Sequence, residues 1–296
     1  MTKNLHLEHP EDLLLTGNLW VLEELFNEPD HTSVKIDGAP AIVWGVDPSN
    51  GQWFCGTKSV FNKRKFKVPY SLEDVEKYYG NQPSLANVLK ACFKYLPRTE
   101  GIYQGDFIGF GGSELFQPNT VVYEFPEIID EKIVVAPHTY YEGDTLKDAV
   151  AFPLVGDLIS TSSCLFVQPF VDWEHHSDYS PSIVSDYDHV GFLDDKEADE
   201  AKVAINALIR AGKPLDDATL THILGCPHLT NLYQMVTEIK EELMNTFIVY
   251  GSPKSSLNGQ RILAEGFVFY YDNVGLKLVD RPVFSYANFN HGRFQR

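Results

Sequence analysis

Cysteine is scarce in this chain and scattered. Cys55, Cys92, Cys164 and Cys226 are the only four in 296 residues, and no two form a C-x-x-C pair. That spacing excludes a disulfide framework and suits reduced, buried thiols in a cytoplasmic setting. Long apolar runs are also missing: none reaches the roughly 20 residues a membrane span needs, and the stretch from Met1 to Glu11 is polar, unlike a signal peptide. Neither an internal repeat nor a low-complexity segment is found. Positive charge is in short supply, with 24 Lys and Arg against 41 Asp and Glu and a net charge of −17. This excludes a general nucleic-acid coat and a protein held on anionic lipid, but not a local basic groove.

Several common sites are absent as well. Gly51 to Ser59 falls short of a P-loop, because Thr57 intrudes before Lys58 and the loop would have to hold Trp53 and Phe54, which read as strand. There is no G-x-S-x-G. His6/His9, His175/His176 and Cys226/His228 lack a four-ligand zinc spacing.

What is present is a globular composition, 44% hydrophobic and 13% aromatic, with the aromatics suited to sheets. The charges are segregated. Residues 172–200 hold ten carboxylates against Lys196, whereas Lys58, Lys63, Arg64, Lys65 and Lys67 cluster in a stretch, residues 56–72, without an acid. With Phe61 and Phe66 interleaved, the basic stretch fits a polynucleotide backbone. The acidic one reads as a solvated surface.

Turn signals and alternation predict strands at Val34–Ile36, Ala41–Trp44, Gln52–Cys55, Gly101–Phe110, Thr120–Phe125, Lys132–Ala136, Arg261–Tyr271 and Val274–Val279. Apolar periodicity predicts helices near residues 10–25 with a break at Gly17, over 71–96 with Ser71 as cap, over 197–211 and over 230–248. The fold class is therefore α+β, with mixed or antiparallel sheets flanked by helices. The expected division is a sheet domain built from residues 1–144 and 256–296, interrupted by a largely helical insert over 145–255.

Two distant segments carry chemistry. Lys35-Ile36-Asp37-Gly38 reads as a strand ending in a turn, with Lys35 and Asp37 on one strand face. Glu265-Gly266 opens an apolar strand, and Gly275-Leu276-Lys277-Leu278 follows one hairpin later. A carboxylate inside such a run is costly unless paired or bound to metal. Between them lie Tyr103-Gln104-Gly105-Asp106 and Val121-Val122-Tyr123-Glu124-Phe125. K-x-D-G, then aromatic-x-G-acid, then E-G-x-V, then L-K, in this order, resembles the motif series of the covalent nucleotidyltransferases: RNA ligases, DNA ligases and mRNA capping enzymes. The resemblance covers about residues 30–135 and 260–280 and leaves the insert outside it.

The resemblance implies a ligase-type nucleotidyltransferase domain that uses ATP and Mg²⁺ (or Mn²⁺). Lys35 would be the nucleophile that carries AMP, Asp37 would serve later steps, and Glu265 would bind the metal. Lys277 and Lys58 would contact phosphates and Asp106 the ribose. Tyr123 or Phe125 would stack on the base, Ile36 and Gly38 would complete the nucleotide site, and the basic stretch from Lys58 to Lys67 would meet nucleic acid. A nucleophilic lysine must be neutral, although its free pKa is about 10.4; burial and a neighbouring cation such as Lys277 or Mg²⁺ promote that.

Three departures from the pattern stand out. Lys277-Leu278-Val279 has one lysine where K-x-K is common, leaving Arg281 as a possible second cation. Pro40 replaces the Arg of many DNA ligases, and the 16 residues after Asp280 are too few for a C-terminal OB-fold barrel. The short C-terminus favours the RNA-ligase branch, and the Lys35-Ile36-Asp37-Gly38-Ala39-Pro40 context resembles phage-encoded members, so the expected location is the host cytoplasm and the expected partners are RNA ends in a repair reaction. Nicked DNA as acceptor, guanylate transfer to RNA, and a non-catalytic nucleic-acid-binding module remain the alternatives. The insert is an expected surface for a protein partner or self-association.

Overall fold

A computed structural model describes residues 7–173, 189–271 and 274–290. It is α+β, and its strands pair antiparallel except where β9 joins β7. Glu174, Asp178, Asp186 and Asp188 of the acidic run, His6, the His175/His176 pair and the Asp272-Asn273 turn lie outside the described residues. No helix among the described residues is long and apolar enough to cross a membrane.

The chain forms two compact units. Unit 1 contains Ile36–Pro169 and Gly251–Ala264. Its larger sheet has the order β3-β2-β4-β7-β8 (β2 Ala41–Val46, β3 Trp53–Gly56, β4 Ile102–Phe110, β7 Ile133–Glu142, β8 Val150–Pro153), with β9 (Cys164–Phe166) also on β7. Side-chain alternation sends Ile42 and Trp44 to one face, where they meet Leu89 and Cys92 of α4 (Pro83–Tyr95), and Val43 to the other, against Phe54 and Ile102. The Ser71 hydroxyl caps α3 (Leu72–Tyr79) by accepting from Asp74 N. A second sheet has the order β13-β12-β6-β5 (β5 Leu115–Phe116, β6 Val121–Glu124, β12 Lys254–Leu257, β13 Gln260–Ile262).

Unit 2 spans His6–Lys35, Phe170–Tyr250 and Glu265–Arg296. It holds the sheet β1-β14-β15 (β1 His31–Val34, β14 Gly266–Tyr271, β15 Val274–Val279) and the pair β10-β11 (Phe170–Trp173, Phe247–Tyr250). Its helices are α1 (Pro10–Leu14), α2 (Trp20–Glu24), α5 (Asp195–Arg210), α6 (Asp217–Leu224), α7 (Pro227–Asn245) and α8 (Arg281–Asn290). Gly17 separates the first two at φ +79°, a conformation suited to glycine.

This division differs from the expected one. The stretch 145–255 is shared out: β8 and β9 pair with β7 and the start of β12 with β6 in unit 1, whereas β10, β11 and α5–α7 belong to unit 2 together with His6–Lys35. Strand partners decide membership, and partners are not visible in the composition of a segment. The helices α6 and α8 were not expected either. Both are short, and α8 follows directly on a strand.

Unit 2 is tied together by buried charge. Lys240 Nζ of α7 donates to Glu11 Oε1 at 2.7 Å, and both residues are only 1% exposed. Arg281 of α8 donates to Asp12 Oδ1 at 2.7 Å and to Asn206 Oδ1 at 3.0 Å. Burial works to raise the Glu11 carboxyl, but Lys240, His9 and Arg281 outweigh it and hold the group below its ordinary range. Removing one partner of a buried pair strands a charge. Lys240→Met is therefore expected to cost about 3–5 kcal/mol in urea unfolding, with much of the loss recovered in the Lys240→Met/Glu11→Gln double variant.

His9, just before α1, has its Nδ1 buried without a hydrogen-bond partner. Burial, reinforced by Arg281, Lys277 and Lys240 and opposed by Glu11, pulls its imidazole down to about 3 from 6.5. The folded state then binds fewer protons than the unfolded state between these values. Its stabilising contribution is complete above pH 6.5 and declines as pH falls towards 3, by about 1.4 kcal/mol per pH unit at most. Denaturation curves between pH 6.5 and 5 are expected to show this slope, and His9→Phe to remove it.

Candidate functional site

In unit 2 the candidate residues are built on the β1-β14-β15 sheet. Its register sets Ser33 opposite Val268 and Val268 opposite Lys277, so these three side chains share a face. β1 ends at Val34, but Lys35 N still donates to Gly266 O at 2.8 Å, which keeps Lys35 on the face of Ser33. Lys35 Nζ then donates to Glu265 Oε1 at 2.7 Å, joining residues 230 apart in sequence. The carboxylate is the buried member, with its side chain 4% exposed against 28% for the lysine. Gly266 is required between them and β15: a Cβ there would lie 2.4 Å from Leu278 O and 2.6 Å from a Val279 methyl.

Lys277 is half-buried on the same face. Burial lowers its pKa, Lys35 and Arg281 add to the effect, and Glu8 and Asp12 oppose it. Two lysines thus share one sheet face, with the Glu265 carboxylate ion-paired to one of them, a disposition that fits a phosphate-bearing ligand. Arg281, the expected substitute for a second motif lysine, is 3% exposed and committed to Asp12 and Asn206. It therefore does not serve as a second cation of this face.

In unit 1 the Asp37-Gly38 turn is held from several sides. The Tyr123 hydroxyl accepts from Asp37 N at 2.9 Å and donates to Asp37 O at 3.1 Å. Asn119 Nδ2 donates to Asp37 Oδ2 at 2.8 Å, and Gly38 N donates to Asp106 Oδ2 at 3.3 Å. A Cβ on Gly38 would lie 2.5 Å from Phe107 O, so the close approach to β4 needs glycine. The expectation that Asp37 extends a strand with Lys35 is corrected here. The β1 ladder stops where β14 begins, and Asp37 is instead fixed by Asn119 and Tyr123.

The two candidates for base stacking are both buried, Tyr123 at 1% and Phe125 at 8%. Tyr123 closes the Asp37 turn, and Phe125 packs edge-on against Phe116 at 5.4 Å. Neither ring offers a free face. Ile36 is buried too and contributes packing.

The basic stretch follows β3 as a 3-10 turn, Lys58–Phe61, capped by the Thr57 side chain, which accepts from Ser59 N. Asn62 Oδ1 accepts from Arg64 N and Lys65 N and fixes the bend that follows. Lys58, Lys63, Arg64 and Lys65 are exposed. Lys67 is turned inward, donating to Tyr78 O at 3.3 Å and lying 5.3 Å from the Tyr79 ring centroid. Lys147 joins the patch unexpectedly, with its ammonium 4.9 Å from the Phe66 ring centroid.

A family model described as "Family of unknown function (DUF6267)" matches residues 4–224 and 224–293. The chain belongs to this family. No curated protein and no solved structure matches it.

Sequence reasoning missed Asn119 and His138. Asn119 stands in a Pro-Asn-Thr turn and gains its role only through tertiary contact. His138 follows Pro137 within β7, and a proline inside a strand pattern is a readable sign of a bulge. Such a bulge is present. Gln104 pairs with Thr139 and Gly105 with Pro137, leaving His138 as the extra residue.

Tyr123→Phe removes the acceptor of the Asp37 N–H and the donor to its carbonyl. A loss of about 1–3 kcal/mol in urea-melt stability is expected, with faster amide exchange at Asp37 and Gly38.

Proposed function

We propose that this chain is an ATP-dependent nucleotidyltransferase that joins RNA ends. The observation that carries the reading is the pairing of Lys35 with Glu265 at 2.7 Å, with Lys277 on the same sheet face. Lys35 can give up its proton once its partner Glu265 is engaged by another cation. In the first step the neutral Lys35 amine attacks the α-phosphorus of ATP. An N–P bond forms, the bond to the β-phosphate oxygen breaks, pyrophosphate leaves, and the surplus amine proton passes to solvent. Lys277 stabilises charge on the phosphoryl group in flight. A 5′-phosphate oxygen then displaces Lys35 from the nucleotide, and a 3′-hydroxyl displaces AMP.

Among the described residues no three His, Cys, Asp or Glu side chains form a metal cluster. Mg²⁺ commonly needs only one or two carboxylates together with substrate phosphates, and Glu265 fits that part. When bound, Mg²⁺ would neutralise triphosphate charge. The exposed Lys58, Lys63, Arg64 and Lys65 supply the polynucleotide contact.

The test is to mix the full chain with α-labelled ATP or GTP and Mg²⁺ and look for label that survives denaturation. Label from ATP, absent in Lys35→Ala and reduced at least about tenfold in Lys277→Ala, is expected. Label from GTP alone would point to guanylate transfer. Folded protein, free of bound nucleotide by intact mass, that takes no label would overturn the reading and favour a binding module.

A further inference from the structure

Charge is divided unevenly between the two units. Unit 2 holds 25 acidic residues and 10 basic ones in sequence, a net −15 of the chain's −17. Within this acidic unit lies an apolar surface. The β10-β11 ribbon sets Phe170 opposite Tyr250 and Asp172 opposite Ile248, and alternation puts these four side chains on one face. The other face turns inward, where the Phe247 ring meets Phe267 at 4.5 Å and Phe269 at 5.6 Å on β14. The outer face stays accessible: Phe170 is 60% exposed, Ile248 50% and Tyr250 43%. The rings of Phe170 and Tyr250 stack with their centroids 5.0 Å apart and their planes at 17°.

A ribbon with one packed face ordinarily turns polar residues outward. Here three of the four outward side chains are large and apolar, and the register makes them neighbours. Grouped apolar exposure marks an interaction surface, and aromatic side chains are its usual anchors. The charge of the unit then selects the occupant. A polynucleotide or an anionic bilayer is repelled by it, and a second copy of the chain would bring another −15. A cationic protein is attracted. Arginine suits the detail of the face as well as its charge. Its guanidinium stacks on aromatic rings, and its fork matches a carboxylate. The exposed Asp172 stands one residue pair, about 7 Å, along the ribbon from the stacked rings. Opposite Asp172 is Ile248, not a cation, and Ile248 gives aliphatic side chains of the same partner a place to pack.

We propose that the outer face of the β10-β11 ribbon docks a partner protein through a basic, arginine-bearing apolar segment. Phe170 and Tyr250 anchor it, Ile248 extends the contact and Asp172 pairs with its charge. This goes beyond the transferase reading and does not rest on it.

The experiment titrates full-length protein, at 0.15 M salt, into three fluorescent peptides: one alternating leucine and arginine, its leucine-to-serine analogue of equal charge, and its arginine-to-glutamate analogue. The first is expected to bind at least about tenfold more tightly than either control. Phe170→Thr and Ile248→Thr, at exposed positions in strands that favour threonine, are expected to keep the melting temperature and to bring the first peptide down towards the serine analogue. Asp172→Asn is expected to weaken it about threefold. No binding of the first peptide, equal binding of the serine analogue, or binding unmoved by the two threonine variants would overturn the proposal. A dimer in sedimentation that those variants return to monomer would also overturn it and assign the face to a second copy. Binding of a labelled RNA oligonucleotide that the same variants abolish would overturn it in favour of nucleic acid.

Discussion

A carboxylate buried at the end of a sheet has to be compensated, and in unit 2 Lys35 takes part in this. Glu265 sits where β14 begins and Lys35 where β1 runs out, and their 2.7 Å contact ties the start of the chain to its last strands. The β-ladder alone would align these strands. The ion pair adds a condition on identity: with the Glu265 side chain 4% exposed, an apolar residue at position 35 would remove the lysine partner of a buried carboxylate. The same condition places an amine on a regular, hydrogen-bonded strand edge, where its position is set by the register of the sheet rather than by a loop.

Unit 2 contains two kinds of ion pair, and their exposure separates them. Lys240 and Glu11 have side chains each 2% exposed, and Arg281 joins them at 4%. Nothing can enter that cluster without dismantling the packing of α1, α7 and α8. Lys35 keeps 28% of its side chain accessible, so its partner can be exchanged for a ligand anion while the sheet stays intact. A pair that must open during a reaction has to be half-exposed, and a pair that holds helices together need not be. By this reasoning Arg281 belongs to the framework, although its sequence position four residues after Lys277 had suggested a phosphate contact.

The sequence carried much of this, with limits that have physical causes. Alternation revealed β2, β3, β4 and β6, because each buries residues on both faces in turn, and Ser71 announced α3 through its cap. The order of K-x-D-G, E-G-x-V and L-K singled out Lys35, Glu265 and Lys277; register sets the two lysines on one face, and an ion pair joins Glu265 to Lys35. The destination of Asp37 was hidden, since a turn aspartate gives no sign that Asn119, 82 residues on, will take its carboxylate. Tyr123 was one of two candidates, with Phe125, for a ligand-stacking ring, and its hydroxyl serves the backbone. An aromatic residue in a strand looks the same for either purpose. The exchange of β8, β9 and β12 with unit 1 was equally hidden, because strand pairing is a long-range choice.

The charge of the molecule constrains how a polynucleotide could approach it. At −17 the chain as a whole repels a phosphate backbone. At 0.1 M ionic strength, however, exposed charges are felt only within about 10 Å. Attraction must then be local, and Lys58, Lys63, Arg64 and Lys65 form an exposed stretch free of acids in sequence, extended in space by Lys147 on Phe66. An acidic protein with one basic loop disfavours non-specific coating and still permits a strand end to be held. The proposed end-joining reaction calls for that combination, because such an enzyme must release its product and has no use for the interior of a duplex.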